Sequence, residues 1–370
     1  MSEPSASMTK IAVIADTHLG VRNDHPAFLD SMKKFIRDVF LPVIDAEGIR
    51  TVAHLGDLFD RRKYVNIVTA STALSSFVEP ILQRGVDLHI MVGNHDCYYR
   101  NTNRVNSIRA LYQDVAAVSD RPGRGKMTLY EKPTTVDFFG LETLIVPWIP
   151  TDDVEEALAA VKKSRAKLCL GHLELEGFDM YRGSRCEHGL KQSSFDHFDT
   201  VLSGHFHTQS VKTNVRYVGA AGQYTWADYD DARGFHVMDT RDMSLVFHAN
   251  PYECFSKVHY DGSDESAEKV KTAAVGGRFV KLVVSDDADP EKLSGAVDTL
   301  EAMGVHDLQV VEDHKRKDET VVSEDDDPAA DTREILLKMV DDRVDWRRKE
   351  AAAALASELY AEAVAVVGDK

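Results

Sequence analysis

Residue types that bind metal ions recur at the ends of five short apolar segments of this 370-residue chain. They are Asp16 and His18 after residues 11–15, Asp57 after 51–55, Asn94 after 86–92, His172 after 167–170, and His205 and His207 after 200–203. A glycine stands beside most of them, which lets the backbone turn sharply next to a ligand. Any one of these motifs is also typical of an ordinary turn, so the prediction of a metal site depends on their combination.

The combined donor set favours a pair of divalent ions. Carboxylate, imidazole and amide oxygen donors suit Mn²⁺, Fe²⁺ or Zn²⁺ better than they suit a thiolate zinc site. The seven donors are too many for one such ion, whereas two ions that share one carboxylate account for the number. Two metals about 3.5–4 Å apart activate a water and hold the attacking and leaving oxygens of a phosphoryl displacement. The residues therefore indicate phosphate ester chemistry.

An α/β core must position these residues. The first three apolar segments are predicted buried strands, separated by stretches of helical period at 27–46 and 65–83. Alternating strand and helix indicates layers with parallel or mixed sheets, whose sites lie at the carboxyl ends of the strands. Three later segments, 215–218, 234–239 and 244–249, lack intervening helices, and we expect them to close a second sheet as antiparallel strands.

Composition divides the chain into three predicted parts. Residues 1–260 hold the α/β domain. Residues 261–322 begin with a polar, glycine-bearing stretch and contain a small β-α-β unit, with strands at 279–284 and 307–311. The acidic sequence SEDDDP opens the third part, residues 323–370, whose tail has a strongly helical pattern.

Bulk composition excludes several classes of protein. Apolar content of 43% and charged content of 28% are ordinary for a soluble globular protein. The sequence has neither an apolar run long enough for a bilayer nor a secretion signal at its start, and its four cysteines form no CxxC pair, which favours a reducing cytoplasm. The net charge of −17 comes mostly from residues 261–331, which hold 20 acidic and 8 basic residues. The α/β domain can therefore present a locally basic face.

The motifs resemble those of a known family. Their order between Asp16 and His207, DxH, GD, GNHD, GH and GHxH, is that of the calcineurin-like metallophosphoesterases. The segments GDLFDRRK, VGNHDCYYRNTN, GHLELEGFDMYRG, SGHFHTQS and YVGAAGQYTWADYDDARGFHVMD resemble SbcD-type DNA nucleases (the Mre-eleven family), above all the recombination endonuclease subunits of tailed phages. The resemblance implies a four-layer α-β-β-α sandwich, a small β-α-β capping domain over the DNA groove and a C-terminal helical tail.

The resemblance also implies a role for each site residue. One metal would be held by Asp16, His18, Asp57 and His207, and the other by Asp57, Asn94, His172 and His205, with Asp57 bridging. The ions would be Mn²⁺ first of all, with Mg²⁺, Fe²⁺ or Zn²⁺ as alternatives. His95 would act on the leaving oxygen, and Asp96 would orient the His95 ring. The alternative for Asp96 is an N-cap of a following helix.

Cationic and aromatic residues flank the site motifs. They are Arg61, Arg62 and Lys63 after Asp57, and Tyr98, Tyr99, Arg100 and Arg104 after His95. Such residues suit a polyanionic strand with bases to stack on, whereas the alternative is a loop whose arginines pair with the protein's own carboxylates. Asp60 departs from the family, because some archaeal and eukaryotic members carry there a histidine associated with exonuclease action.

Two protein partners are implied by the resemblance. Residues 65–83 and 103–112 would supply helices for a homodimer, and the second partner would be an SbcC-type ATPase with a long coiled coil (the Rad-fifty family). The tail supports a partner by its own pattern, since an apolar stripe runs at helical spacing through Leu336, Val340, Val344, Leu355 and Leu359. The stripe fits a partner groove, and its alternative is packing on its own domain.

Together these features predict a dimetal-dependent DNA nuclease subunit, exonuclease or endonuclease. It would hydrolyse phosphodiester bonds in recombination, repair and end processing with the ATPase, in the cytoplasm (the host's, if phage-encoded). One alternative is a phosphoesterase for small or protein substrates. The other is an architectural subunit that binds DNA ends and whose metals are structural.

Overall fold

Two six-stranded sheets form the centre of the fold in the computed structural model, which describes residues 9–117, 122–181, 184–285 and 289–313. The strands are β1 (Lys10–Ile14), β2 (Thr51–His54), β3 (Asp87–Met91), β4 (Met127–Tyr130), β5 (Thr134–Phe138), β6 (Leu141–Val146), β7 (Leu168–His172), β8 (Asp179–Tyr181), β9 (Ser184–Arg185), β10 (Thr200–Gly204), β11 (Ser210–Lys212), β12 (Val215–Tyr217), β13 (Gly234–Asp239), β14 (Leu245–Ala249), β15 (Phe255–Tyr260), β16 (Phe279–Ser285) and β17 (Asp307–Asp313). The first sheet has the order β14-β13-β1-β2-β3-β4, and the second has the order β11-β12-β10-β7-β6-β5.

Helices pack on the outer faces of the two sheets and on a smaller third sheet. The regular ones are α1 (Pro26–Phe35), α2 (Leu41–Glu47), α3 (Ile67–Ala73), α4 (Glu79–Gln83), α5 (Ser107–Ala117), α6 (Val154–Lys163), α7 (Asp264–Thr272) and α8 (Pro290–Ala302). A π-helical turn joins α1 to α2 at Ile36–Phe40, and another joins α3 to α4 at Leu74–Val78. Each turn lies just before a proline, Pro42 or Pro80, whose missing N–H cannot make the regular α-helical bond.

Alternating side chains bury both faces of the central strands. In β1, Ala12 and Ile14 join the cluster under α1 to α4, whereas Ile11 and Val13 pack between the two sheets. In β6, Ile145 packs between the sheets, while its neighbours pack outward in the cluster that includes Val161 of α6. The layers therefore run α-β-β-α, and the predicted fold class is confirmed.

The predicted position of two later strands is wrong. β13 and β14 extend the first sheet: β13 pairs antiparallel with β1, and β14 pairs antiparallel with β13. Of the three segments, β12 alone joins the second sheet, parallel to β10 and antiparallel to β11. The missing helices correctly indicate short connections, but an antiparallel strand with apolar side chains on both faces can extend either sheet, so the local pattern does not decide which.

A three-stranded parallel sheet, β15-β16-β17, forms a smaller unit with α7 and α8. Strand β15 belongs to this sheet although it ends at Tyr260, before the predicted start of the second part at residue 261. Helix α7 lies in the polar stretch that follows. Phe255 and Phe279 contact the ring of Phe28 on α1, which attaches the unit to the sandwich. The predicted tail, with Leu336, Val340, Val344, Leu355 and Leu359, lies outside the described residues, and the domain boundaries stay predictions. Among the described helices, none combines the length and apolar character needed to cross a membrane.

Candidate metal centre

The carboxyl ends of five parallel strands meet at one edge of the sandwich. Strands β1, β2 and β3 are neighbours in the first sheet, and β7 and β10 are neighbours in the second. The residues at these ends form three groups in which the donor atoms lie within 4.8 Å of one another: Asp16, His18 and His207; His18, Asp57 and His95; Asp57, His172 and His205.

Asn94 completes the last of these groups, and Asp57 stands between its neighbours. Oδ1 of Asn94 lies 2.9 Å from Nε2 of His172 and 2.9 Å from Nδ1 of His205. Oδ2 of Asp57 lies 3.6 Å from Nε2 of His18 and 3.4 Å from Nε2 of His172. The structure thus brings all seven predicted ligands together in clusters suited to two metal ions, and a carboxylate between them can bridge the pair.

Hydrogen bonds between strand ends hold these carboxylates in place. The His18 N–H donates to the Asp57 carbonyl at 3.1 Å, and the His95 N–H donates to Oδ1 of Asp57 at 2.8 Å. The Asp16 carboxylate accepts from the His205 N–H, with its two oxygens at 3.0 and 3.1 Å. The second sheet is therefore fixed to the first through the site itself.

Four of the predicted ligands have a left-handed backbone. Their φ angles are 51° at Asp16, 40° at His18, 54° at Asp57 and 88° at His205. Residues with a side chain seldom adopt this region, at a cost of order 1–3 kcal/mol each, which surrounding structure must offset. Gly93 has a related constraint, since a Cβ there would overlap the Asp57 carboxylate.

Burial keeps two of the imidazoles neutral. It lowers the pKa of His205 to about 3, with a further contribution from positive charge on His172. The pKa of His207 lies well below its usual value, because burial and the charge of His18 both disfavour the imidazolium. Neutral histidine is the form that donates a ring nitrogen lone pair to a metal.

Asp57 remains ionised despite its burial. Burial alone would raise the pKa of Asp57, but positive charge on His172 outweighs it and holds that pKa well below the usual range. Burial likewise opposes the charged form of His172, yet the Asp57 carboxylate raises the pKa of His172 to about 9. The site therefore favours positive charge beside Asp57, a condition that divalent cations meet.

The predicted contact between Asp96 and the His95 ring is wrong. Nδ1 of His95 instead contacts the carbonyl oxygen of Asp60. The buried Asp96 carboxylate accepts from the backbone N–H groups of Gly93 at 3.0 Å, Phe59 at 3.1 Å and Leu58 at 3.3 Å. Nor does Asp96 begin a helix, because α5 starts only at residue 107. Asp96 joins the loops after β2 and β3, where buried N–H groups need an acceptor.

Asp60, which follows Asp57 by three residues, contacts two site histidines. Its carbonyl holds the His95 ring, and its Oδ1 lies 3.5 Å from Nδ1 of His18. Burial lowers the pKa of His18, but the Asp60 and Asp57 carboxylates outweigh this and raise it to about 9. Sequence reasoning gave Asp60 no positioning role, although its place three residues after Asp57 was a signal.

Tyr224 is a buried support that sequence reasoning did not find. Its hydroxyl donates to the Asp16 carbonyl at 2.7 Å, and its ring centroid lies 5.3 Å from that of His18. The Asp228 carboxylate accepts from the Tyr224 N–H at 2.7 Å and from the buried Arg233 at 2.6 Å. The available signal was the capping pattern T-x-x-D at residues 225–228, which fixes a turn next to Tyr224.

The predicted DNA-binding residues next to the site differ in their exposure and in their contacts. Arg61 makes bonds within the protein, to Asn23, Asp24 and Tyr64. Arg62 lies over the ring of Trp148. The others are exposed and are called here the cation–aromatic surface: Lys63, Tyr98, Tyr99, Arg100 and Arg104. The alternative of internal pairing therefore holds for Arg61.

Residues 9–209 match the calcineurin-like phosphoesterase family, and the chain belongs to that family. It is 32% identical to exonuclease subunit 1 of Enterobacteria phage T4, over 96% of this chain and 99% of the relative. It is 23% identical to a subunit of the SbcCD nuclease of Staphylococcus epidermidis, over 76% and 81% of the two chains. It is 28% identical to the DNA double-strand break repair protein Mre11 of Saccharolobus solfataricus, over 55% and 50%. The predicted resemblance is confirmed.

Proposed function

We propose that this chain is the nuclease subunit of a DNA-processing complex and hydrolyses backbone phosphodiesters at the metal centre. The observation that carries the proposal is the convergence of two donor groups on Asp57, with His95 beside them. The match to a phage exonuclease subunit along nearly the whole chain supports DNA as the substrate. The proposed place of action is the cytoplasm, that of the host if the gene belongs to a phage.

The donor groups fit two divalent ions, with Mn²⁺ first and Mg²⁺, Fe²⁺ or Zn²⁺ as alternatives. When bound, such ions supply an activated water and screen charge on the phosphate. His95 assists departure of the 3′ oxygen, with its ring held by the Asp60 carbonyl. Burial lowers the pKa of His95, which makes its protonated form a stronger acid. The negative charge of a bound phosphate favours protonation of His95, and the imidazolium can then pass its proton to the leaving 3′ oxygen.

The test uses purified protein and an end-labelled linear duplex with Mn²⁺, Mg²⁺ or EDTA. We expect Mn²⁺-dependent shortening or nicking that EDTA abolishes and that His95→Asn loses while it still binds two ions. The matched control is His197→Asn, an exposed histidine near the opposite end of β10. Hydrolysis of a nitrophenyl ester without any DNA cleavage would favour the small-substrate alternative. Binding of DNA without hydrolysis in every metal would favour the architectural one.

The proposed homodimer uses exposed apolar side chains on α3 and α5. Ile67 is 86% exposed, and Val68 and Leu111 are also exposed. The two helices are joined by the Tyr112 hydroxyl, which donates to the Ala70 carbonyl at 2.8 Å. An exposed apolar patch of this kind is typical of an association surface. In sedimentation equilibrium, Ile67→Glu should give monomers, whereas Val246→Glu on the edge strand β14 should not; dimers from both variants would reject this surface.

The proposed second partner is an SbcC-type ATPase that binds the predicted helical tail. The apolar stripe in the tail sequence supports this, as do two relatives named as subunits of larger nucleases. Deletion of residues 329–370 should abolish co-elution with the ATPase and leave metal binding intact. Co-elution of the truncated protein at the level of the full chain would reject the tail as the binding segment.

A further inference from the structure

A cavity of about 280 Å³ opens beside the metal centre and shares a wall with it. His172, one of the predicted ligands, lines the cavity, and so does Glu174, whose carboxylate lies 3.9 Å from Nε2 of His205. The volume is just below the range of about 300–1,000 Å³ typical of pockets for small organic ligands. A second, larger cavity lies on the β15–β16 side of the smaller unit and shares no lining residue with the site.

Apolar side chains on anchored backbone form the walls. Trp148 and Leu173 follow the neighbouring parallel strands β6 and β7, and Leu190 also lines the cavity. The Trp148 N–H donates to the Val92 carbonyl at 2.9 Å, and the buried Asn103 amide donates to the Trp148 carbonyl at 2.7 Å. The Leu190 N–H donates to the Glu174 carbonyl at 2.8 Å. Since each wall is fixed by hydrogen bonds, the cavity is formed before any ligand arrives.

Arg62 stands next to Trp148 and interacts electrostatically with Asp57 of the metal centre. Its guanidinium carbon lies 5.1 Å from the centroid of the Trp148 ring, a cation–π distance. Nη1 of Arg62 is buried and has no hydrogen-bond partner among the described residues. A buried donor without a partner is costly. A turn of the half-buried Arg62 side chain towards a phosphate oxygen would give this donor an acceptor.

We propose that this cavity receives the base of one nucleotide next to the scissile phosphate, stacked against Trp148, with Arg62 contacting the phosphate of that nucleotide. The proposal rests on the proposed function and assigns a subsite to it. A nucleobase is flat and aromatic with a polar edge, and the cavity offers an indole and aliphatic side chains with Glu174 and His188 at its rim. Because a base must leave the duplex stack to enter, cleavage should be faster where bases are unpaired.

The experiment combines a protein variant with a missing base. Abasic analogues are placed one at a time at the two nucleotides on each side of a mapped cleavage site, and kcat/KM is measured with Mn²⁺. For the wild-type protein, one of the four positions should show about a tenfold loss, equal to about 1.4 kcal/mol. Trp148→Ala should lose the same factor on ordinary DNA and lose nothing further at that position. Trp148→Phe should keep the wild-type pattern.

Two more variants test whether misfolding, rather than loss of the pocket, explains the result. Phe139→Ala removes an exposed aromatic ring at the opposite end of β6 and should keep the tenfold abasic effect. Val154→Phe fills the cavity from the start of α6 without removing Trp148 and should abolish the effect. Two results would reject the base pocket without rejecting the nuclease activity. One is that the losses caused by Trp148→Ala and by the abasic position multiply; the other is that the wild-type protein cleaves DNA at the normal rate with an abasic analogue at any of the four positions. A wild-type protein that hydrolyses a nitrophenyl diester but no DNA would overturn both.

Discussion

The metal centre and the cation–aromatic surface beside it are built in opposite ways. Asp16, Asp57 and His172 are almost fully buried and receive hydrogen bonds from, or donate them to, the ends of other strands. Tyr98 and Tyr99 project from a loop, 41% and 50% exposed, and contact each other with ring centroids 4.7 Å apart. The site is part of the core, whereas the surface is attached to it.

This difference in construction predicts different roles for the two regions, catalysis for the metal centre and DNA binding for the cation–aromatic surface. Substitutions in the metal centre should change metal binding and stability, because its side chains are held by the packing that holds the sheets together. Substitutions on the cation–aromatic surface should change DNA affinity and its dependence on salt, and should leave the metals alone. Four predictions test this separation.

Asp57→Asn should have the largest effect. Asp57 stands between the two donor groups, so loss of its charge should weaken both ions and lower the rate of DNA cleavage by at least about 10³-fold. Manganese stoichiometry by electron paramagnetic resonance should fall below two ions per chain. Asp239→Asn, in the hairpin between β13 and β14, is the control. Two tightly bound ions in Asp57→Asn would contradict the shared role.

Asp96→Asn should act chiefly on stability. The carboxylate accepts three backbone hydrogen bonds, and an amide cannot replace all of them, so the free energy of unfolding of the metal-free protein should fall by about 2–4 kcal/mol. Urea unfolding measures this change. A large loss of cleavage rate with an unchanged unfolding free energy would instead restore the role of orienting His95.

Tyr224→Phe should weaken metal binding at the group of Asp16, His18 and His207, but less than Asp57→Asn does. It removes the bond to the Asp16 carbonyl and leaves the ring in place, so Mn²⁺ affinity should fall about tenfold while kcat at saturating Mn²⁺ stays close to wild type. Tyr112→Phe removes an equivalent bond, to the Ala70 carbonyl, and should leave Mn²⁺ affinity unchanged. Equal affinities in all three proteins would show that Tyr224 only fills space.

Arg100→Ala and Arg104→Ala should have the smallest effects. Each should weaken DNA binding a few-fold and lower the slope of log affinity against log salt by about one, without any change in Mn²⁺ affinity. Arg241→Ala, a charged residue paired with Asp239 on the distant hairpin, is the control. Salt slopes identical to that of the wild type would remove these arginines from the DNA path.

The same contrast explains how far the sequence could predict the structure. The seven metal-binding candidates follow apolar strand segments directly, and parallel strands gather their carboxyl ends at one edge, so a local pattern predicted a global meeting point. The four-layer order follows in the same way from strands that are apolar on both faces.

Other features depend on contacts between distant segments. The acceptor role of Asp96 depends on N–H groups of residues 58 and 59, and the role of Tyr224 depends on a carbonyl some 200 residues earlier. Which sheet β13 joins and which face of α7 is buried likewise depend on contacts with distant segments. A local sequence pattern does not identify those segments. Arg61 shows the limit for surfaces, because its neighbours Asn23 and Asp24 decide whether it faces DNA or the protein.

The left-handed backbone at Asp16, His18, Asp57 and His205 has an evolutionary consequence. Glycine at such positions relieves backbone strain, so variants without the site can be more robust than the parent. A lineage screened only for abundant, heat-resistant protein would drift towards inert scaffolds. Conversely, a protein that keeps its activity must keep these four residues in spite of their backbone strain, because glycine has no side chain to bind a metal ion.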